Sequence, residues 1–316
     1  MDDFSDAPHS GSPADSYPFD DASPDQEEAE PSNAQHAPPP LTIQTDQRQD
    51  VLLRRTLSDT ITTRLLAVRC REAQEQNLSG QDFALLKHNQ TEYGVTSLCF
   101  CVCDGVGSSY RGDFAARYLA RHMLAWLQRL PYIPKTPESF QESVRASLGD
   151  WAERGQRRLS EEAEAASAPP GTSALVREAL AELRETYGAE AVFLAGRLDV
   201  THAGAPLASN TPARLLLCWM GNVVAQIFPT GEAPFAAGSA SDDSARWSTG
   251  RGVRGTIETR ILSLAGLHRL IVYTDGVGPL ADRLAILDDD ALYDAAAQLL
   301  TEPASDDMTL LDVELR

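Results

Sequence analysis

Long apolar runs are missing from this sequence: nothing in its 316 residues approaches the ~20 consecutive apolar residues that cross a bilayer. Basic residues are also scarce. Lys and Arg total 27 against 46 Asp and Glu, a formal net charge of −19. A chain with so few cations is poorly suited to nonspecific nucleic-acid binding, which needs Lys and Arg to neutralise phosphates, and it is repelled by anionic membrane. Nucleic acid and membrane are therefore not expected partners. Cysteine is limited to five residues, Cys70, Cys99, Cys101, Cys103 and Cys218. An odd count lying mostly in apolar strand-like segments suits a reducing compartment rather than a disulfide scaffold. The first residues, MDDFSDAPHS, are acidic, with no apolar signal core behind them. These absences give the expectation of a soluble, unexported, cytoplasmic protein.

Composition divides the chain. Residues 1–55 are rich in Asp, Glu, Pro, Ser and Ala. Such a segment buries too little apolar surface to offset its ordering entropy, so it reads as a disordered acidic, Pro-rich tail, a solubilising leader or a docking arm. Order is expected from near Thr62, within a domain spanning 56–316. TRLLAVRC, DFALLKHN and VTSLCFCVC read as strands. A helix is expected over Tyr110–Leu130, capped by Ser108 or Ser109. A longer helix follows Pro137, with Phe140, Val144, Leu148 and Trp151 at helical spacing, and a third spans TSALVREALAELRETY. Five strand-like segments, a helix near DDALYDAAAQLL and a last strand, MTLLDVELR, complete the chain. Many strands with helices inserted in pairs argue for antiparallel sheet in a layered α+β domain.

The chemistry is concentrated at strand ends. Asp104 and Gly105 follow the apolar run CFCVC; Asp275 and Gly276 follow RLIVYT; Asp306 and Asp307 enter MTLLDVEL; Asp82 opens DFALL. One Asp-Gly after a strand can be a plain turn, a phosphate cradle or a metal carboxylate. Repetition of the pattern favours metal, because gathered carboxylates repel and buried charge is costly unless paired or bound to a cation. Carboxylates and carbonyls are hard oxygen ligands suited to Mg²⁺ or Mn²⁺.

GQDFALL, CVCDGVGSSYRGDFAARYLA, LIVYTDGV and SDDMTLLDVEL stand in the motif order of the metal-dependent protein phosphatases (PPM type, protein phosphatase 2C-like), and the chain from about Arg64 resembles their divergent bacterial branch. The resemblance implies a four-layer α/β/β/α sandwich of two antiparallel sheets flanked by helices. It implies a centre of two Mn²⁺ or Mg²⁺ ions: Asp104 bridging both, the Gly105 carbonyl on one, Asp275 and Asp306 on the other, and Asp82 in support directly or through water. Asp306 is preferred to Asp307 because it takes the first position of the closing motif. The implied reaction is hydrolysis of phosphoserine and phosphothreonine in proteins by a metal-bridging hydroxide, on substrates that include targets of a partner Ser/Thr kinase.

The sequence departs from the family at two places. Asn222 in WMGNVV occupies a usually acidic position, which argues against a third metal. The usual early arginine is missing from EAQEQNLSGQD, leaving Arg111, Arg251 and Arg254 as unranked phosphate-binding candidates. Two other readings stand beside the first: a phosphatase-like binding or scaffold protein with little turnover, and a metal-dependent hydrolase of a small phosphoester. GRGVRG (250–255) matches a dinucleotide-loop pattern but precedes a strand-like segment instead of a helix, so a loop beside the cleft is expected. Cys99, Cys101 and Cys103 alternate on one strand face, which suits core packing better than a tetrahedral metal site.

Overall fold

The structure, a computed structural model, describes residues 41–58, 61–90, 95–165, 173–201, 211–238, 244–302 and 304–315. In chain order the strands are β1 (Leu41–Gln44), β2 (Val51–Ser58), β3 (Ile61–Val68), β4 (Phe83–Gln90), β5 (Val95–Gly105), β6 (Glu190–Thr201), β7 (Ala213–Met220), β8 (Val224–Pro229), β9 (Phe235–Ala237), β10 (Arg246–Ser248), β11 (Gly252–Arg254), β12 (Glu258–Leu264), β13 (Leu267–Tyr273) and β14 (Met308–Leu315). The helices are α1 (Arg71–Glu75), α2 (Gly112–Arg129), α3 (Pro137–Ala165), α4 (Ala174–Thr186) and α5 (Asp289–Leu299), with a 3-10 turn at Asp275–Leu280.

The strands form two antiparallel sheets. One runs β1-β4-β5-β6-β10-β11, with β7 on β6 and β12 on β7; the other runs β2-β3-β14-β13-β8-β9. β5 shows why they stack. Cys99, Cys101 and Cys103 face one way, among Phe114, Leu119, Met123, Leu148 and Trp151 of α2 and α3. Leu98, Phe100 and Val102 face the other way, among Leu65, Ile227, Val272, Leu311 and Val313 of the second sheet. A strand buried on both faces must be apolar at every position, and this one nearly is. The outer face of the second sheet, Leu66, Ile271, Tyr273 and Leu310, packs on Leu280, Leu284, Leu292 and Ala296. Three apolar interfaces thus separate four layers, the expected α/β/β/α sandwich. The alternating cysteines are core residues, and burial pushes the Cys99 thiol up to about 12.

The expected tail boundary at residue 55 is incorrect. Residues 1–40, where most of the acidic segment lies, fall outside the described residues. Leu41–Gln44 and Val51–Ser58 are strands, so order begins well before Thr62. β1 pairs with β4 and buries Ile43, and β2 pairs along nearly the whole of β3. Composition averaged over 55 residues hid β1 and the start of β2 behind an acidic, Pro-rich stretch. The α2 boundary also shifts. The helix starts at Gly112 without a side-chain cap, and Ser109 Oγ instead accepts the Glu190 N–H at 3.2 Å. The GRGVRG stretch is part of a β10–β11 hairpin, not an open loop. No helix among the described residues is long and apolar enough to cross a membrane.

A chain starting at Thr56 will be less stable than one starting at Leu41, because it loses the strands that cover β3 and β4. A melting-temperature difference of at least about 5 °C is expected by calorimetry; equal values would mean that β1 and β2 add nothing to the domain.

Candidate metal centre

Strand register brings the sequence-predicted carboxylates together. Phe83 pairs with Cys103, so Asp82, just before β4, lies opposite Asp104 near the end of β5. In the other sheet Tyr273 pairs with Leu310, which sets Asp275 after β13 beside Asp306 and Asp307 before β14. Both pairs lie at the same end of the sandwich. The mutual influence of these groups reports their closeness. Burial raises the Asp82 carboxyl well above the ordinary range, with Asp104 and Asp307 adding to it. Burial likewise raises Asp104, with Asp275 and then Asp306 as the charges that add most. Asp306 lies nearer solvent, and it too is raised, by partial desolvation, which outweighs the opposing bond from the Asp307 N–H.

The glycines have a steric cause. A Cβ on Gly105 would lie 2.4 Å from the Gly112 backbone, so the end of β5 and the start of α2 pack main chain to main chain. A Cβ on Gly276 would lie 2.1 Å from the Asp307 carbonyl oxygen. The second Asp-Gly and the closing Asp-Asp are therefore in direct backbone contact, an approach only glycine permits.

Hydrogen bonds distinguish the carboxylates. Asp307 Oδ1 accepts the Cys70 N–H at 2.6 Å and Oδ2 accepts the Gln81 N–H, so both oxygens hold backbone. Asp306 uses Oδ1 for the Asp307 N–H at 2.8 Å. Asp82 Oδ2 accepts from Thr274 Oγ1 at 2.7 Å, while its buried Oδ1 meets no described donor. Asn222 Nδ2 donates to Asp275 Oδ2 at 2.7 Å. Two hollows adjoin the cluster and share Asp306. One of about 250 Å³ is lined by Asp104, Gly105, Gln81, Asn222 and Arg246; the other, of about 230 Å³, by Asp275 and Gly276.

The donor chemistry fits a hard dication: carboxylates and a glycine carbonyl, charges that repel without a cation, and a buried oxygen with no donor. The fit is not a closed cage. No group of three or more His, Cys, Asp or Glu among the described residues is arranged to hold a metal ion.

Of the arginines singled out in the sequence, none faces the cluster. Arg111 grips Asp113 through two bonds of 2.7 and 2.9 Å. Arg251 lies 4.0 Å over the Tyr187 ring and donates to the Thr186 carbonyl. Arg254 pairs with Glu190 at 3.4 Å. The arginine lining the hollow is Arg246, also paired with Glu190, at 3.3 Å. It stands in SARWST, where no local pattern marks it; only the pairing of β10 with β6 brings it to the site. The sequence marks Asn222 only as a missing acid, and its bond to Asp275 depends on the contact between two loops.

No protein-family model matches the chain, and no curated protein matches it in sequence. Among solved structures, serine/threonine phosphatase Stp1 from Staphylococcus aureus superposes with a TM-score of 0.51 at 13% identity, over 80% of this chain and 94% of that one. A bacterial serine phosphatase superposes at 0.50 and 12% identity, over 80% and 97%. The fold is the one these phosphatases share. Identity at this level carries the likeness no further than fold.

The repulsion gives a pH test. A carboxyl raised by folding binds its proton more tightly folded than unfolded. Metal-free protein therefore loses stability as pH climbs from about 4 towards the raised values. Asp104→Asn removes one charge from the cluster, so its urea midpoint in EDTA should fall less than wild type between about pH 4.5 and about pH 8. A steeper fall in the variant would contradict mutual repulsion.

Proposed function

We propose that this protein is a metal-dependent phosphatase of the PPM type, a divergent bacterial member, that hydrolyses phosphoserine and phosphothreonine in proteins. The observation that carries the reading is the convergence of Asp82, Asp104, Asp275 and Asp306 from both sheets at one end of the sandwich, on the fold described above. Asp104, Gly105 through its carbonyl, Asp275 and Asp306 would hold two Mn²⁺ or Mg²⁺ ions, with Asp82 supporting Asp104. Such ions, when bound, acidify water and offset charge on phosphoryl oxygens. The protein's own groups do the rest. Asp307 and Thr274 fix the loops that carry the ligands. Arg246, steadied by Glu190, supplies a cation at the hollow beside Asp104, placed to meet phosphoryl oxygens. Asn222 adds no charge where a third metal would need it. The free thiols are consistent with a cytoplasmic protein acting on phosphoproteins, including targets of a partner Ser/Thr kinase.

A second reading has its own observation. Asn222 occupies one oxygen of Asp275, as expected of a phosphatase-like binding protein with weak turnover. Turnover separates the two. Phosphopeptide hydrolysis should require Mn²⁺ or Mg²⁺ and stop in EDTA, and Asp104→Asn should lose at least ~100-fold, about 2.7 kcal/mol of transition-state stabilisation. Activity that persists in EDTA would overturn the metal reading; none with either ion would favour the binding protein. Faster hydrolysis of small phosphoesters than of phosphopeptides would point to the small-substrate enzyme.

The two neighbouring acids should separate by assay. Asp306→Ala should abolish most turnover at little cost in stability. Asp307→Ala should cost on the order of 2 kcal/mol, because two backbone N–H groups lose their acceptor. Reversed results in urea melts and kinetics would exchange their roles.

A further inference from the structure

A roomy hollow lies outside the carboxylate cluster. It is a cleft of about 730 Å³ between the turn after β1, the segment before β4 and the first half of α2. Its lining carries Arg48, Arg111, Arg117 and Arg121 against Asp46 and Asp113. This is a net positive pocket in a chain with a formal charge of −19. The acids are already engaged. Asp113 is held by Arg111 through both oxygens, and Asp46 Oδ1 accepts the Arg48 N–H at 3.0 Å.

Besides Arg48, which bonds Asp46 through its backbone only, Arg117 and Arg121 remain. They stand one helical turn apart on α2, so they share a face. Neither takes part in an ion pair among the described residues. Arg117 is half-buried and donates to the neutral Gln47 amide oxygen. Burial chiefly lowers its hold on its proton; the Asp113 charge opposes this, and repulsion from Arg111 and Arg121 follows, ahead of a weaker pull from Glu162. Glu162 of α3 is itself paired with Arg158. The Arg121 guanidinium lies 5.9 Å from the centre of the Phe83 ring. Crowded guanidinium groups without carboxylate partners form a site for an oxyanion.

Position assigns the ligand. Gln81 and Gly107 line both this cleft and the hollow that holds Asp104, Gly105 and Asp306. A chain with one phosphate at the carboxylate cluster can continue directly into the cleft. We propose that Arg117 and Arg121 bind a second anionic group on the substrate, a carboxylate or phosphate flanking the phosphoresidue, so that the protein selects acidic phosphopeptides. This rests on the phosphatase reading for its hydrolysis arm only.

The test uses the full chain and three phosphoserine peptides, with flanking Glu, with flanking Gln, or with a flanking second phosphoserine. With Mn²⁺, wild type should show a KM about tenfold lower for the Glu and doubly phosphorylated peptides than for the Gln peptide, and the difference should shrink at high salt. Arg121→Gln, at an exposed position, and Arg117→Gln should erase that preference, while kcat and hydrolysis of p-nitrophenyl phosphate stay unchanged. Arg117→Lys keeps the charge and should retain most of the preference, which separates anion binding from helix packing. A preference for the doubly phosphorylated peptide alone would assign the cleft to phosphate rather than carboxylate. Fluorescence anisotropy of the same labelled peptides in EDTA reads the cleft without turnover. Selective binding in EDTA together with no hydrolysis in either Mn²⁺ or Mg²⁺ would sustain the cleft and overturn the phosphatase reading. Equal KM and equal binding across peptides, or a preference that survives both Gln variants, would overturn the cleft.

Discussion

Carboxylates that repel one another are held at one end of two packed sheets, and the rest of the site is arranged around that repulsion. The three apolar interfaces supply the restraint. β4 and β5 are fixed on one side by α2 and α3 and on the other by the second sheet, so Asp82 and Asp104 have no room to separate. β13 and β14 are fixed in the same way by the covering segment 280–296. A buried cluster of like charge destabilises a fold unless protonated or bound to a cation, and a well-packed frame is what allows the apo cluster to persist.

Close backbone approach sets the geometry. Gly105 against Gly112 brings the helix start to the end of β5, and Gly276 against Asp307 joins the two loops of the second sheet. Around these contacts the polar groups divide into those that hold loops and those left available. Asp307 is consumed by backbone N–H groups from Cys70 and Gln81. Thr274 donates to Asp82 while its hydroxyl accepts the Thr309 N–H at 3.0 Å. The loops of both sheets are thereby tied into one unit, and Asp104 and Asp306 are left facing a common hollow.

Charge is distributed against the average of the chain. An acidic protein places arginines in the cleft next to its acidic centre, and pairs one of that cleft's aspartates, Asp113, with Arg111. The electrostatic character of a surface region depends on which charges are already paired, which net charge alone does not convey.

The strands, their antiparallel arrangement and the acids at their ends were legible from the sequence, because period-2 apolar runs ending in Asp-Gly and Asp-Asp are local patterns. The long helix from Pro137, with its buried Phe140, Val144, Leu148 and Trp151, was legible for the same reason. β1 and β2 were not: β1 gains its stability from pairing with the distant β4, and β2, though it pairs with the adjacent β3, was averaged into an acidic, Pro-rich composition. Arg246 and the pair Arg117 and Arg121 were invisible as site residues, since an arginine carries no mark of what it faces. Local chemistry determined which residues can be ligands; tertiary structure decided which of them meet, because register, glycine contacts and loop-to-loop hydrogen bonds act between distant segments, as in the Cys70–Asp307 bond across 237 positions.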